Sequence, residues 1–231
     1  LGGVCTVEPL PGGHRNRVLR SRGLAQDRVF KTTRRSAEAL EWLGPVQGAA
    51  RAAGFEVPAL IRSHNGALAE AGWTCEPLLR CRAFDATGMT GLASRLARFH
   101  AATRGLAQRP GFRAAAALCG ATRGGDVDLG LMPAALVRAC RAAWQALRAL
   151  PCAAVHGDLT PANLLWSDAG APILLDWDEA RLDAVVFDTA QIAPVAPAVA
   201  RALMAWKIAT SWQIEPAHAR ALARRFLRAQ A

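Results

Sequence analysis

Val155-His156-Gly157-Asp158-Leu159-Thr160-Pro161-Ala162-Asn163-Leu164-Leu165-Trp166, followed by Ile173-Leu174-Leu175-Asp176-Trp177-Asp178, decides how the rest of the chain is read. Asp158 is followed five residues later by Asn163, and a second Asp stands at the end of a short apolar strand. Alone, His-x-Asp with a downstream Asn says little, because Asp and Asn are ordinary turn residues. The strand-Asp-Trp-Asp segment at hairpin distance makes the pattern specific, since two paired strands bring the oxygen-bearing side chains together. Asp158 is then a candidate base, placed to take a proton from an attacking hydroxyl. Asn163 and Asp176 offer an amide and a carboxylate oxygen, the hard donors that Mg2+ prefers. Phosphoryl transfer from ATP asks for little more from side chains.

Size and composition bound the alternatives. The 231 residues suffice for one large domain or two small lobes, and a chain of this length buries roughly 75% of its unfolded surface without staples. No apolar run approaches the roughly 18 residues that suggest a membrane span, and the N-terminus has no basic patch leading into an apolar stretch. The six cysteines include no C-x-x-C pair and no His at zinc-finger spacing, which predicts reduced thiols in the cytoplasm. The net charge of +10 raises nucleic acid as a partner. The cations form no run, show no alternation with aromatics, and are nearly all Arg in an Ala-rich chain; no nucleic-acid or membrane role is expected.

Along the chain, strands are predicted over Val4–Leu10, Arg17–Arg20 and Asp27–Lys31, with a turn at Pro11-Gly12-Gly13. Ser36 caps a helix from Ala37 to Ala53, which Gly54 ends and Pro45 should kink or split. Pro58–Arg62 and Ala67–Thr74 read as a hairpin turning at Asn65-Gly66, and Glu76-Pro77-Leu78 as a linker. Helical spacing follows around Leu92–His100 and Leu136–Leu147. The stretch Gly105–Gly130 is irregular, with a short helix near Arg113–Leu118. Beyond the motif, a hairpin turns at Ser167-Asp168-Ala169-Gly170, and helices run over Val186–Ile192, Ala198–Thr210 and Pro216–Ala229. The outline is α+β: a small antiparallel β lobe with one helix, residues 1–79, then a larger helical lobe, residues 80–231, bearing the motif.

The two motif segments resemble the catalytic core of the aminoglycoside phosphotransferase and choline kinase group, relatives of the protein kinases. That group has His-Gly-Asp where protein kinases have His-Arg-Asp, and often Asp-x-Asp where they have Asp-Phe-Gly. The likeness is strong between Val155 and Asp188 and weaker from about Val7 to Ile192. It implies a protein-kinase-like two-lobed fold, ATP and Mg2+ as cofactors, Asp158 as base, and Asn163 and Asp176 as metal ligands. Asp178 would assist, His156 would support the loop through backbone, and Asp188 and His100 would be structural. Lys31, one of two lysines in the chain, ends a strand where such folds keep the cation that holds the α- and β-phosphates. Its partner would be Glu38 or Glu41, which share a helix face; Glu41 is favoured. Gly12 and Gly13 stand where the group has a phosphate loop. Glu76 and Leu78 would flank the hinge at the adenine edge, and Leu165 and Leu175 would floor the ring. Trp73, Trp166 and Trp177 read as packing residues.

The acceptor is expected to be a hydroxyl of a small molecule. A polycationic aminoglycoside needs a cluster of carboxylates, yet after Asp188 the only acidic residue is Glu215, against Arg201, Lys207, Arg220, Arg224, Arg225 and Arg228. A sugar, an amino alcohol or another metabolite fits better. The alternative is a kinase-like protein that binds nucleotide without turning it over.

Overall fold

The computed structural model describes residues 5–10 and 16–228; the expected phosphate-loop residues Gly12 and Gly13 lie outside them. In chain order the elements begin with β1 (Thr6–Pro9), β2 (Val18–Arg22), β3 (Arg28–Thr32), α1 (Ala37–Glu41) and α2 (Leu43–Ala52). Then come β4 (Ala69–Glu70), β5 (Trp73–Pro77), β6 (Cys81–Ala83) and α3 (Ala93–Ala102). The middle of the chain holds β7 (Arg123–Gly124), β8 (Val127–Asp128), α4 (Ala134–Trp144) and β9 (Cys152–Val155). The last elements are β10 (Leu164–Ser167), β11 (Pro172–Leu174), β12 (Arg181–Ala184), α5 (Val186–Thr189), α6 (Pro197–Ser211) and α7 (Pro216–Arg228).

These elements form two compact units. The first runs to Asp85 and also takes Pro161–Leu175. The sequence had placed that hairpin in the second lobe, beyond a boundary at 79/80; here it pairs through β10 with β6, in the order β11-β10-β6. The rest of the unit is an antiparallel sheet in the order β1-β2-β3-β5-β4. Lys31 sits on β3 opposite Val18 and Thr74. The segment after α2 adds to the hairpin: Glu56 N–H donates to the Pro172 carbonyl at 2.9 Å, and Leu174 N–H to the Glu56 carbonyl at 2.8 Å.

The helix expected over Ala37–Ala53 is split, as expected of Pro45, into two helices broken at Trp42. Pro45 has no N–H for the Glu41 carbonyl four residues back, and its ring crowds that carbonyl; the break falls there. Pro58–Arg62 forms no strand, because Pro58 has no donor and Ile61 alone reaches β5, its N–H meeting the Cys75 carbonyl at 2.7 Å. Asn65-Gly66 does turn the chain, with Gly66 at φ 80°, but the hairpin closes at Ala71-Gly72, φ 49° and 78°. Both central residues at positive φ are what the right-handed twist of flanking strands selects. Glu76 and Pro77, expected in a linker, belong to β5.

The second unit, Ala86–Thr160 and Asp176 onward, is mainly helical. Its apolar core gathers Leu118, Leu136, Cys140, Trp144 and Val155 with Phe187, Ala205, Trp206, Ile208 and Phe226. Small side chains on α4 and α6, such as Ala139, Ala143, Ala202 and Ala205, are all buried. That permits close helix approach and explains why an Ala-rich sequence suits this unit. Beside the helices, β9 pairs antiparallel with β12, Val155 opposite Arg181 and Cys152 opposite Ala184. Among the described residues no helix is long and apolar enough to cross a membrane.

Ser36 caps α1 as expected, its hydroxyl accepting from the Ala39 N–H at 3.3 Å. Ser36→Ala should lower the unfolding free energy by about 1 kcal/mol, and Ser36→Asp should keep most of it; urea titration of the three proteins measures the difference.

Candidate active site

The site begins where β9 ends. Past Val155 the next N–H groups have no strand to pair with, and buried backbone donors need acceptors. Asp188, fully buried on α5, supplies them: Oδ2 accepts from His156 N–H at 2.9 Å and Oδ1 from Gly157 N–H at 3.0 Å. His100 on α3 adds its Nε2 at 2.9 Å to Oδ2. Burial pushes the Asp188 carboxyl up, but the hydrogen bond and electrostatic attraction of His100 and the Gly157 N–H outweigh it and hold the acid below its ordinary range. An ionised carboxylate only accepts, so His100 carries its proton on Nε2. The structural roles expected for Asp188 and His100 thus have a definite form: the two residues fix the exit of β9.

Gly157 follows with φ 85°, and a Cβ there would lie 2.7 Å from both Arg181 Nη1 and the Glu179 carbonyl oxygen. Backbone conformation and space therefore both demand glycine in His-Gly-Asp. Asp158 comes next, half-buried, its N–H donating to His156 Nδ1 at 3.4 Å. His156 itself is fully buried, edge-on to the Trp177 ring with centroids 5.0 Å apart. Leu159, 1% exposed, pins the loop just beyond Asp158.

Asp176 opens a one-turn 3-10 segment, Trp177–Glu179, from a left-handed conformation, φ 58° and ψ 72°. Asp tolerates that region better than most residues. The same unit thus carries Asp158, Asp176 and Asp178, brought onto one scaffold by the β9–β12 ladder and the packing of Gly157 against Glu179 and Arg181. Asn163 belongs to the first unit. Its carbonyl accepts from the Leu175 N–H at 2.9 Å, tying it to the peptide that leads directly into Asp176. Leu165, on β10, and Leu175 are both half-buried.

The remaining predicted residues also lie on the first unit. The Lys31 carbonyl accepts from the Thr74 hydroxyl at 3.2 Å. Glu41, favoured as the partner of Lys31, makes a bidentate pair with Arg62 at 2.6 and 2.8 Å. Glu38 accepts from its own N–H and from the Ser36 hydroxyl, which hold its carboxyl below the ordinary range. Glu76 stands opposite Val29, and the Leu78 N–H donates to the Asp27 carbonyl at 2.8 Å. Trp166 stacks on Phe84 at 4.8 Å under the Arg82 guanidinium, as packing residues do.

Two buried cations escaped the sequence. Arg181, fully buried, donates Nε to Asp183 at 2.9 Å and Nη1 to the Glu179 carbonyl at 3.0 Å, with its guanidinium 3.8 Å from the Trp206 ring centre. Burial pushes Asp183 up against the pull of Arg181 and of the Ala115 and Ala184 N–H groups. Arg109, 1% exposed, lies in the stretch read only as irregular. No sequence signal marked either: Arg181 lies three residues beyond Asp178 at the start of β12, a strand not predicted, and Arg109 lies in an aperiodic stretch.

A family model, described as the phosphotransferase enzyme family, matches residues 6–229. The chain belongs to that family. Other members of this fold group with solved structures include macrolide 2′-phosphotransferase from Brachybacterium faecium, 20% identical over 96% of this chain and 92% of that one, TM-score 0.53. Choline kinase from Streptococcus pneumoniae is 14% identical, covering 97% and 94%, TM-score 0.65. A spectinomycin phosphotransferase in complex with ADP and spectinomycin is 10% identical, covering 94% and 83%, TM-score 0.56. At such identities the likeness establishes the protein-kinase-like α+β fold for this phosphotransferase-family chain. No curated protein sequence matches it.

Asp188→Asn should cost about 3 kcal/mol at neutral pH, since the amide cannot accept from all three donors. Because the folded carboxyl's pKa lies below the ordinary range, the wild-type advantage is full above about pH 4, the range of an unfolded-chain Asp. It fades as pH falls through the lower folded value, where the native carboxylate takes up its proton. Urea melts should show a wide gap between the two proteins at pH 7 and a smaller one at pH 3.

Proposed function

We propose that this chain transfers the γ-phosphoryl group of ATP to a hydroxyl of a small molecule. The observation that carries the reading is the fixed exit of β9, which holds Asp158 at the end of a loop anchored by Asp188 and Gly157. Asp158 orients the acceptor hydroxyl and takes its proton as the bond to phosphorus forms. Its backbone N–H donates to His156 Nδ1, which helps hold the main chain that presents the carboxylate.

The donor set suits Mg2+. Asp176 brings a carboxylate oxygen and Asn163 an amide oxygen, with Asp178 close in sequence; all are hard ligands. Among the described residues there is no group of three or more His, Cys, Asp and Glu that could hold a metal. A magnesium site of this kind needs none, because phosphate oxygens and water complete the shell. Bound Mg2+ would supply charge neutralisation on the β- and γ-phosphates. Lys31 on β3 is the cation proposed for the phosphates, with Glu76 and Leu78 at the adenine edge and Leu165 and Leu175 beneath the ring.

For the acceptor, α6 and α7 carry no carboxylate. Arg220, Arg224, Arg225 and Arg228 are all exposed on α7. Such a surface repels a polycation. A neutral or anionic hydroxyl compound, such as a sugar or a metabolite alcohol, is the proposed substrate class.

Mg-ATP at saturation should raise the wild-type melting temperature by several degrees. Asp176→Asn, which keeps a residue that tolerates left-handed backbone, should abolish that rise. Asp158→Ala should keep it and lose about 10²- to 10⁴-fold in ADP release with a panel of hydroxylated metabolites. Equal turnover in Asp158→Ala and wild type would point to nucleotide binding without catalysis, and an unmoved wild-type melting point would overturn the proposal.

A further inference from the structure

Arg109 lies in a segment without regular structure, yet it is among the largest fully buried side chains of the protein. Its Nη1 donates to three backbone carbonyls: Trp177 at 3.1 Å, Asp178 at 3.0 Å and Ala180 at 3.0 Å. A guanidinium Nη has two hydrogens, so the three oxygens share them. The Arg109 guanidinium also lies 4.4 Å from the centre of the Phe112 ring, which covers it on one side. Gln108 holds the same segment in place from the other direction. Its Nε2 donates to the Leu182 carbonyl at 2.8 Å, and its Oε1 accepts from the Leu182 N–H at 2.9 Å and from the Arg109 N–H at 2.8 Å.

The three carbonyls belong to one short turn and its final residue, the stretch that begins at Asp176. Pointed at a common centre, their negative ends repel one another unless a cation stands there. A 3-10 turn of three residues has too few internal hydrogen bonds to hold itself, and Asp176 sits in a left-handed conformation that persists only where the surroundings over-determine it.

We infer that Arg109 is a positioning residue for Asp176 and Asp178: the buried guanidinium collects the carbonyls that follow Asp176 and so sets the direction in which its carboxylate leaves the chain. The inference rests on the proposed metal role of Asp176 but concerns the geometry of the turn, which can be measured without metal. Arg109 contacts neither phosphate nor acceptor and acts through the backbone of others. Gln108 locks the bracing segment to β12, so the brace and the turn move as one body.

The experiment uses the full chain with Arg109→Met, which keeps the length and apolar stem and removes every donor, and Arg109→Lys, which restores a cationic donor. Two quantities are read: amide hydrogen exchange over residues 176–182 in the absence of metal and nucleotide, and Mn2+ affinity in the presence of ADP from water proton relaxation. Arg109→Met should exchange at 176–182 at least about tenfold faster while α6 and α7 exchange as in wild type. Its Mn2+ affinity should fall about 10- to 100-fold, the usual effect of removing a group that orients a metal ligand. Arg109→Lys should lie between the two. Wild-type exchange over 176–182 in Arg109→Met, or undiminished Mn2+ affinity, overturns the inference. If Arg109→Met does not fold, Arg109→Lys decides by the same two quantities: weakened Mn2+ binding with faster exchange supports it, and wild-type values overturn it. Wild-type protein that binds no Mn2+ with ADP would instead sink the metal role of Asp176, and the exchange measurement alone would then judge Arg109.

Discussion

One buried carboxylate organises the second unit. Asp188 sits in a four-residue helix that could not hold a position by itself. It does so because it is the acceptor for two successive N–H groups at the end of β9 and for an imidazole on α3. Each of these donors would be an unsatisfied buried group without it. Three elements distant in sequence are therefore registered against one another by a single side chain. The loop that follows inherits the precision of that junction. Its charge matters as much as its geometry, since a protonated Asp188 would offer a donor where two backbone donors already point.

The cationic side of the same scaffold is built differently. Arg181 and Arg109 are both essentially inaccessible to solvent, which for a charge is costly unless it is fully engaged. Both lie over aromatic rings, Arg181 over Phe187 and Trp206 and Arg109 over Phe112. The flat, weakly hydrated guanidinium is suited to that environment in a way an ammonium is not. Each also donates through Nη1 to backbone carbonyls between residues 177 and 180. The Arg-rich composition thus supplies, at two places, a side chain suited to a dry interior.

The motif was legible because its parts are local: a strand, a glycine turn, an Asp-Asn interval and a hairpin can be read within about twenty residues, and the structure places them on β9, β10 and β11 as expected. The helical periodicity of α3, α4, α6 and α7 was legible for the same reason. What escaped depends on partners far along the chain. Nothing near Pro58–Arg62 shows that Ile61 alone will meet β5, and Ala71-Gly72 is a poorer turn signal than Asn65-Gly66 until the flanking strands have chosen their twist. Glu41 looked like the partner of a lysine on the preceding strand; its pair with Arg62 is made across twenty-one residues and depends on where α1 stops. Arg109 is the extreme case. Its three acceptors lie about seventy residues away, and its own neighbourhood has no period to read.

Gly157 shows how a local rule and a distant one meet. A positive φ would by itself favour glycine at that point. The space where a side chain would begin is, however, already filled by the Arg181 guanidinium, reaching in from the opposing strand. Protein kinases carry an arginine in the corresponding place of His-Arg-Asp. Here a cation stands beside the same backbone position but is delivered from β12, where it also pairs with Asp183 and bonds the Glu179 carbonyl. The glycine is thus half of a two-residue arrangement. Enlarging it crowds both the Arg181 guanidinium and the Glu179 carbonyl that Arg181 bonds. The loop bearing the proposed base therefore packs directly against the residues that follow the turn bearing the proposed metal ligand.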